Sequence, residues 1–379
     1  LNSTSGAITI NLPSSPSVGD IISIKDYANT FDSNNITIGR GGSKIFGQCI
    51  DATLNTEGQV ITLIYADSTK GWINVQTDTT IVGSNFITAT GGTITTSGDY
   101  KIHTFTSDGN FVVSSAGPSA GAGNKTSYLV VAGGAGGGTW GGGGGGAGGF
   151  REGKCSSDPY TDSPLDSGTA LSVTVGTYPV TVGAGGSGSS GYPDVGSITN
   201  GSNSVYSTIT SAGGGKGGST NDPSSGSGYT GGSGGGGNTP PVSPPQGQPG
   251  GNGGNNAPNG FYFGGGGGGA TEAGKNARTV PSPGTNDGGP GGDGAQTSIN
   301  ASATYYAGGG AGGNVQSGAS TGGQGGGGTA SPQGITPTAG TANTGGGGAG
   351  AWAANPSGSS STASPGGGSG IVIIRYKFQ

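Results

Sequence analysis

Along the first 76 residues, apolar and polar side chains alternate in short runs. Ile8, Ile10 and Leu12 are set against Thr9 and Asn11, the period-two pattern of a strand with one buried face. The same pattern predicts strands over 20–25, 35–38, 59–65 and 71–75, with turn clusters at 13–16, 41–42 and 67–71. Strands this short, at this spacing, predict a small β-sandwich or prism-like module over 1–76. Residues 77–98 are rich in Thr and Ser and read as a connector.

A different pattern begins at Tyr100. Residues 100–106 and 111–113 are β-branched and aromatic and flank Asp108-Gly109, which predicts a hairpin. Tyr128–Val131 is apolar at every position, as a strand buried on both faces is, and runs directly into glycine. Glycine tracts then recur at 141–146, 213–215, 234–237, 264–269, 308–310, 325–328 and 345–348, separated by polar inserts. The last segment, Ile371–Phe378, returns to a strand pattern. Pairing of this strand with Tyr128–Val131 and with the 100–113 segment would close residues 99–379 into one domain.

Composition sharpens the picture. Of 379 residues 95 are glycine and 21 proline; only 28% are hydrophobic and 8% charged. Glycine costs about 1 kcal/mol relative to alanine within a helix, so almost no α-helix is expected. An α/β enzyme of this length needs a larger aliphatic core. A net charge of −5 without a basic stripe excludes nucleic-acid binding through phosphate neutralisation.

The tracts lack the Gly-X-Y period of collagen. Each glycine still brings one amide donor and one carbonyl acceptor, both of which need partners when buried. A left-handed helix of three residues per turn makes no internal hydrogen bonds, so glycine rods of this polyglycine-II type can bond to one another sideways. Without Cβ atoms they can approach closely. A hydrogen bond contributes only about 0.5–1.5 kcal/mol net, so nearly every amide must be paired and apolar groups must cap the bundle. Phe150, Phe261, Tyr262, Phe263, Tyr305 and Tyr306 adjoin tracts and are the expected caps. The fold expected is therefore mostly β and irregular: the N-terminal module, then packed polyglycine-II helices closed by a small sheet.

The inserts carry Trp140, Tyr160, Tyr192, Tyr229 and Trp352 among Ser, Gly and Asn. Rigid amphipathic rings set in adaptable polar loops are the chemistry of recognition surfaces, so these five are the candidate binding residues. Catalytic and metal chemistry have little to work with. His103 is the only histidine and sits within a strand pattern, where a solvated or cross-strand role is expected. Asp158, Asp162 and Asp166 form the densest acidic group and read as a solvated loop. The GxGxxG matches are chance products of glycine content, and no P-loop is present. No cofactor, metal or catalytic group is expected. Cys49 and Cys155 allow one long-range disulfide but no disulfide framework. The sequence begins Leu-Asn-Ser-Thr without a charged segment followed by an apolar one, so no signal peptide is expected, and no apolar run approaches the ~20 residues of a membrane span.

Two stretches resemble parts of tailed-bacteriophage tail fibres. Residues 8–13, 19–20, 35–38, 42–45 and 71–72 resemble a β-module of such fibres. Gly98-Asp-Tyr100 with His103–Phe105, Tyr128–Gly133, Gly146–Arg151, Val173–Val175 with Tyr178–Gly185, Thr341–Gly348 and Gly370–Phe378 resemble the glycine-rich domain at fibre ends. The resemblance implies a non-enzymatic, extracellular virion adhesin whose loops bind a host surface glycan or outer-membrane protein. It also implies other fibre subunits as partners. Such fibres are typically trimers, whereas separately attached tip adhesins need not be, so the oligomeric state stays open. The alternatives are a purely structural fibre or surface-matrix component and, for want of paired carboxylates less favoured, a polysaccharide depolymerase.

Overall fold

In the N-terminal module, β1 (Ile8–Asn11), β3 (Ile36–Gly39) and β4 (Ala52–Leu54) form one sheet, with β1 and β3 parallel. A second sheet joins β2 (Ile21–Lys25), β5 (Val60–Asp67) and β6 (Gly71–Asn74), all antiparallel. Ile36, Ile38 and Leu54 from the first meet Ile24, Ile61, Leu63 and Trp72 from the second in one core. Trp72 is fully buried and meets Tyr65 edge to face. The alternation read from the sequence thus places one face of each sheet inside. The computed structural model describes residues 1–75, 86–117, 123–191, 197–219, 231, 233–237, 241, 246–256, 261–278, 287–314, 319–332, 335–352 and 363–378.

The second body is built on two more sheets. One has the order β16 (Ile209–Ser211), β15 (Ser204–Tyr206), β14 (Gly176–Thr181), β10 (Gly109–Ser115) and β7 (Thr88–Thr90). The other runs β12 (Phe150–Gly153), β11 (Lys125–Val131), β21 (Ile371–Lys377), β9 (Tyr100–Phe105) and β8 (Thr93–Ser97), with β13 (Leu171–Ser172) also against β11. Two small hairpins, β17 (Gly254–Asn256) with β18 (Phe261–Phe263) and β19 (Ala295–Thr297) with β20 (Thr304–Tyr306), complete the strands. There is no helix among the described residues.

The closing strand lies where the sequence puts it. β21 pairs with β11, Ile371 opposite Val131, and with β9, Val372 opposite Phe105. The expected 100–113 hairpin does not form. β9 and β10 enter different sheets, and their connection carries the chain from one layer to the other so that Phe105 and Phe111 share one core. The tight hairpin is instead β8–β9, turning at Gly98 with φ of 55°, the positive φ that primed hairpin turns require. Two strands of the expected connector, β7 and β8, therefore belong to the second body.

β21 is buried on both faces. Val372, Ile374 and Tyr376 face the sandwich core with Tyr128 and Val130, while Ile371 and Ile373 face the opposite side with Leu129 and Val131. That opposite side is where the glycine tracts dock. Phe150 and Tyr306 are buried there with Ala147, Ala270, Ala295 and Ala307. Phe263 is also buried, whereas Tyr305 is 37% exposed; the side chains of Phe261 and Tyr262 lie outside the described residues.

The tracts form a lattice. The amides of Gly143, Gly144 and Gly145 donate to Gly218, Gly265 and Gly348, at 2.8, 3.0 and 2.8 Å. One turn later Gly146, Ala147 and Gly148 donate to Gly215, Gly268 and Gly345. Successive amides thus point to three neighbours and return every third residue, the symmetry of a three-residue helix. The carbonyls of the same rod accept from Ala135, Ser233, Gly236 and Gly310 on three further segments. The 143–149 rod is therefore surrounded by segments 132–138, 212–218, 233–237, 264–269, 308–313 and 345–351. A Cβ on Gly145 would stand 2.2 Å from the Ala135 carbonyl oxygen, and one on Gly144 would stand 2.0 Å from that of Gly310. The interior of this body is backbone, and glycine is the condition for it.

Candidate functional site

The lattice has two ends. Ala132 follows β11 directly and Phe150 opens β12, so the 132/149 end abuts the sheet. The opposite end is the turn between Gly138, whose amide donates to the Gly143 carbonyl, and Gly142. Trp140 occupies this turn, half-buried, with φ of 55°, and Gly141 follows at 64°. A non-glycine residue in the left-handed region costs about 1–2 kcal/mol, so the turn is held by its surroundings. The Thr139 amide donates to the Ser219 hydroxyl at 3.0 Å. On the other side, the Gly141 amide donates to the Ala351 carbonyl and the Ala351 amide to that of Gly138.

These contacts gather four other segments around one turn. Ser219, Gly237, Asn314 and Trp352 are each the last described residue before a polar insert. Gly218, Gly236, Gly313 and Ala351 each bond to a backbone atom of residues 138–144. Trp352, 9% exposed, thus stands beside the segment that carries Trp140, and its indole N–H has no hydrogen-bond partner among the described residues. Tyr192 and Tyr229 lie outside the described residues.

Tyr160 is at the other end and does not protrude. It is 6% exposed and packs under the sheet with Phe150, Ile371 and Ile373. The Lys154 ammonium and the Arg375 guanidinium lie 5.1 and 5.5 Å from its ring centre. Burial, followed by the Glu152 and Asp158 carboxylates, pushes its phenol far above the ordinary tyrosine range.

Of the acidic loop, Asp158 is folded in rather than solvated, while Asp162 keeps 38% of its side chain exposed. Asp158 is 4% exposed; one oxygen accepts from Arg375 Nε at 2.8 Å and the other from the Ser127 hydroxyl at 2.9 Å. Burial raises its carboxyl, and Arg375 opposes that rise. Asp166 accepts the Lys154 amide, and Asp162 pairs with the Lys154 ammonium at 2.6 Å. Glu152, 1% exposed, accepts from Thr297 and from the Ser163 amide, and its carboxyl is raised by desolvation. Sequence reasoning missed Arg375 as the organiser of this loop. The signal was available: a guanidinium in an otherwise apolar strand calls for a carboxylate partner.

His103 is fully buried, not solvated, and lies opposite Ile374 and Ile94. Its Nδ1 donates to the Gly91 carbonyl at 2.7 Å, so in the neutral ring Nε2 is the acceptor for the Tyr376 hydroxyl at 3.1 Å. Phe111 meets the ring edge to face at 5.1 Å. Burial lowers its pKa, and the ring serves the sandwich core. Cys49 and Cys155 are free thiols.

No curated protein matches the chain. A family model described as a glycine-rich domain matches residues 106–377, more than two thirds of the sequence and the whole extent of the lattice. The chain belongs to this glycine-rich domain family.

Proposed function

We propose that this protein is a non-enzymatic attachment protein of a tailed-phage fibre. In this reading it contacts a host surface glycan or outer-membrane protein through Trp140, Trp352 and the polar inserts adjoining the far-end turn in sequence. The observation that carries the reading is the convergence of Gly218, Gly236, Gly313 and Ala351 on the turn that holds Trp140, each close in sequence to a polar insert. A rigid body whose interior is backbone supplies a fixed platform, and polar segments with Trp and Tyr supply adaptable contacts. Several copies on one fibre would convert weak single contacts into strong attachment, since avidity exceeds single-site affinity by about 10²–10⁴.

The test is retention of the purified chain on a panel of bacterial lipopolysaccharides and outer-membrane vesicles. Retention on at least one preparation is expected, and it should fall sharply when 220–230 is replaced by Gly-Ser or when Trp140→Ala is introduced. Retention that ignores both changes, or none on any preparation, would leave the structural-fibre alternative in its place.

A further inference from the structure

The N-terminal module faces the second body across residues 44–49 and 99–100. There a cleft of about 430 Å³ is lined by Lys44, Lys70 and Lys377 with one carboxylate, Asp99. Three of the thirteen basic residues of a chain with net charge −5 thus converge on one cavity. Lys377 is held between the modules, its ammonium 3.8 Å from Asp99 and 3.4 Å from the Gly47 carbonyl. Among the described residues neither Lys44 nor Lys70 is ion-paired. Two lysines without an ion-pair partner on the wall of one concave surface attract an anion more strongly than scattered surface charges do.

The rest of the lining says what kind of anion. Phe46, Pro159 and Tyr100 supply apolar surface, and Thr69 and Ser157 supply hydroxyls. Tyr100 is fixed there, its hydroxyl donating to the Ser157 carbonyl at 3.0 Å and its ring under the Arg375 guanidinium at 4.6 Å. Cations for an acid group, side-chain hydroxyls for the sugar's own, and rings for an apolar sugar face are the complement of a small acidic saccharide. The volume is within the range of small-molecule sites, about 300–1,000 Å³. We propose that this cleft binds a sugar acid, one or two residues long, bearing a carboxylate or a phosphate. The inference is independent of the far-end reading, because the two sites share no residue.

The full chain is titrated calorimetrically with glucuronate, glucose 6-phosphate, glucose and inorganic phosphate. Saturable binding of at least one acidic sugar is expected, with glucose weaker by about tenfold or more. Lys44→Ala and Lys70→Ala should each weaken the acid by about tenfold at unchanged melting temperature, while Lys25→Ala, exposed on β2, should not. Glucuronate alone binding identifies a carboxylate ligand, and glucose 6-phosphate alone a phosphate ligand; either upholds the site. Inorganic phosphate binding as tightly as glucose 6-phosphate, glucose binding as tightly as the acids, indifference to both lysine variants, or no saturable binding would overturn it. Replacing 220–230 should leave this binding intact, which separates its failure from that of the far-end reading.

Discussion

Arg375 and Asp158 are 217 residues apart in the chain and meet at 2.8 Å beneath the closing strand, both nearly excluded from solvent. The pair ties the last strand to the insert that follows β12. Removing one partner of a buried pair strands the other, at a cost of about 3–5 kcal/mol. Asp158→Ala and Arg375→Met are each expected to lower the unfolding free energy by that order in denaturant melts. The double variant Asp158→Leu/Arg375→Met should recover most of the loss.

The lattice predicts opposite responses to one methyl group. Gly145→Ala would place a Cβ 2.2 Å from a neighbouring carbonyl, so it should destabilise at or above the upper end of the ~1–3 kcal/mol typical of overpacking. Ala311, with Ala330 and Ala349, occupies one of the few places where the lattice accommodates methyls. Ala311→Gly should cost about 1–2 kcal/mol through a lost methyl and a freer unfolded chain. Guanidinium midpoints of the two variants check the contrast.

Two buried groups predict pH dependences of opposite sign. The folded-state pKa of His103 is lowered, so the folded form prefers the neutral ring. Its contribution is complete above the unfolded value of about 6.5 and is lost as pH falls through the folded value. Glu152 is raised, so its contribution is complete below about 4.3 and is lost as pH rises through the folded value. Relative to wild type, His103→Gln should flatten the melting profile below pH 6.5, and Glu152→Gln should flatten it above pH 4.3. Each group accounts for at most about 1.4 kcal/mol per pH unit.

The closing strand bonds to both β9 and β11. Deleting 371–378 should therefore open both sheet edges, uncover Leu129 and Val131, and make the glycine segments sensitive to limited proteolysis. A truncation as resistant as the full chain would show that the lattice stands without the sheet.

Much of this was legible in the residues. The alternation around Ile8, Ile61 and Trp72 located the N-terminal strands, and the doubly apolar Tyr128–Val131 and Ile371–Ile374 located the central pair. β4, three residues long, was too short to show a period. The Asp108-Gly109 signal marks only a bend at 106–108, with Gly109 already in β10, and gives no information about which sheet each arm enters. β8 escaped because its Thr-rich strand exposes most of its positions, leaving little apolar contrast to read. Among the candidate aromatics, the segments of Trp140 and Trp352 are joined by the backbone bonds of Ala351 to Gly138 and Gly141, residues that no local pattern links. Tyr160 was drawn inward by Arg375, a partner visible only once the last strand is placed over its insert.

A rod of glycines also has an identity problem. Sliding it by one turn, about 9 Å, would replace each amide partner with an equivalent one, so the tracts themselves barely distinguish correct alignment from a slipped one. Alignment must be dictated by what is not glycine: the methyls of Ala135, Ala147, Ala311 and Ala349, and the strands that hold the rod ends. The few alanines in these tracts thus act as the index marks of an otherwise unmarked scale.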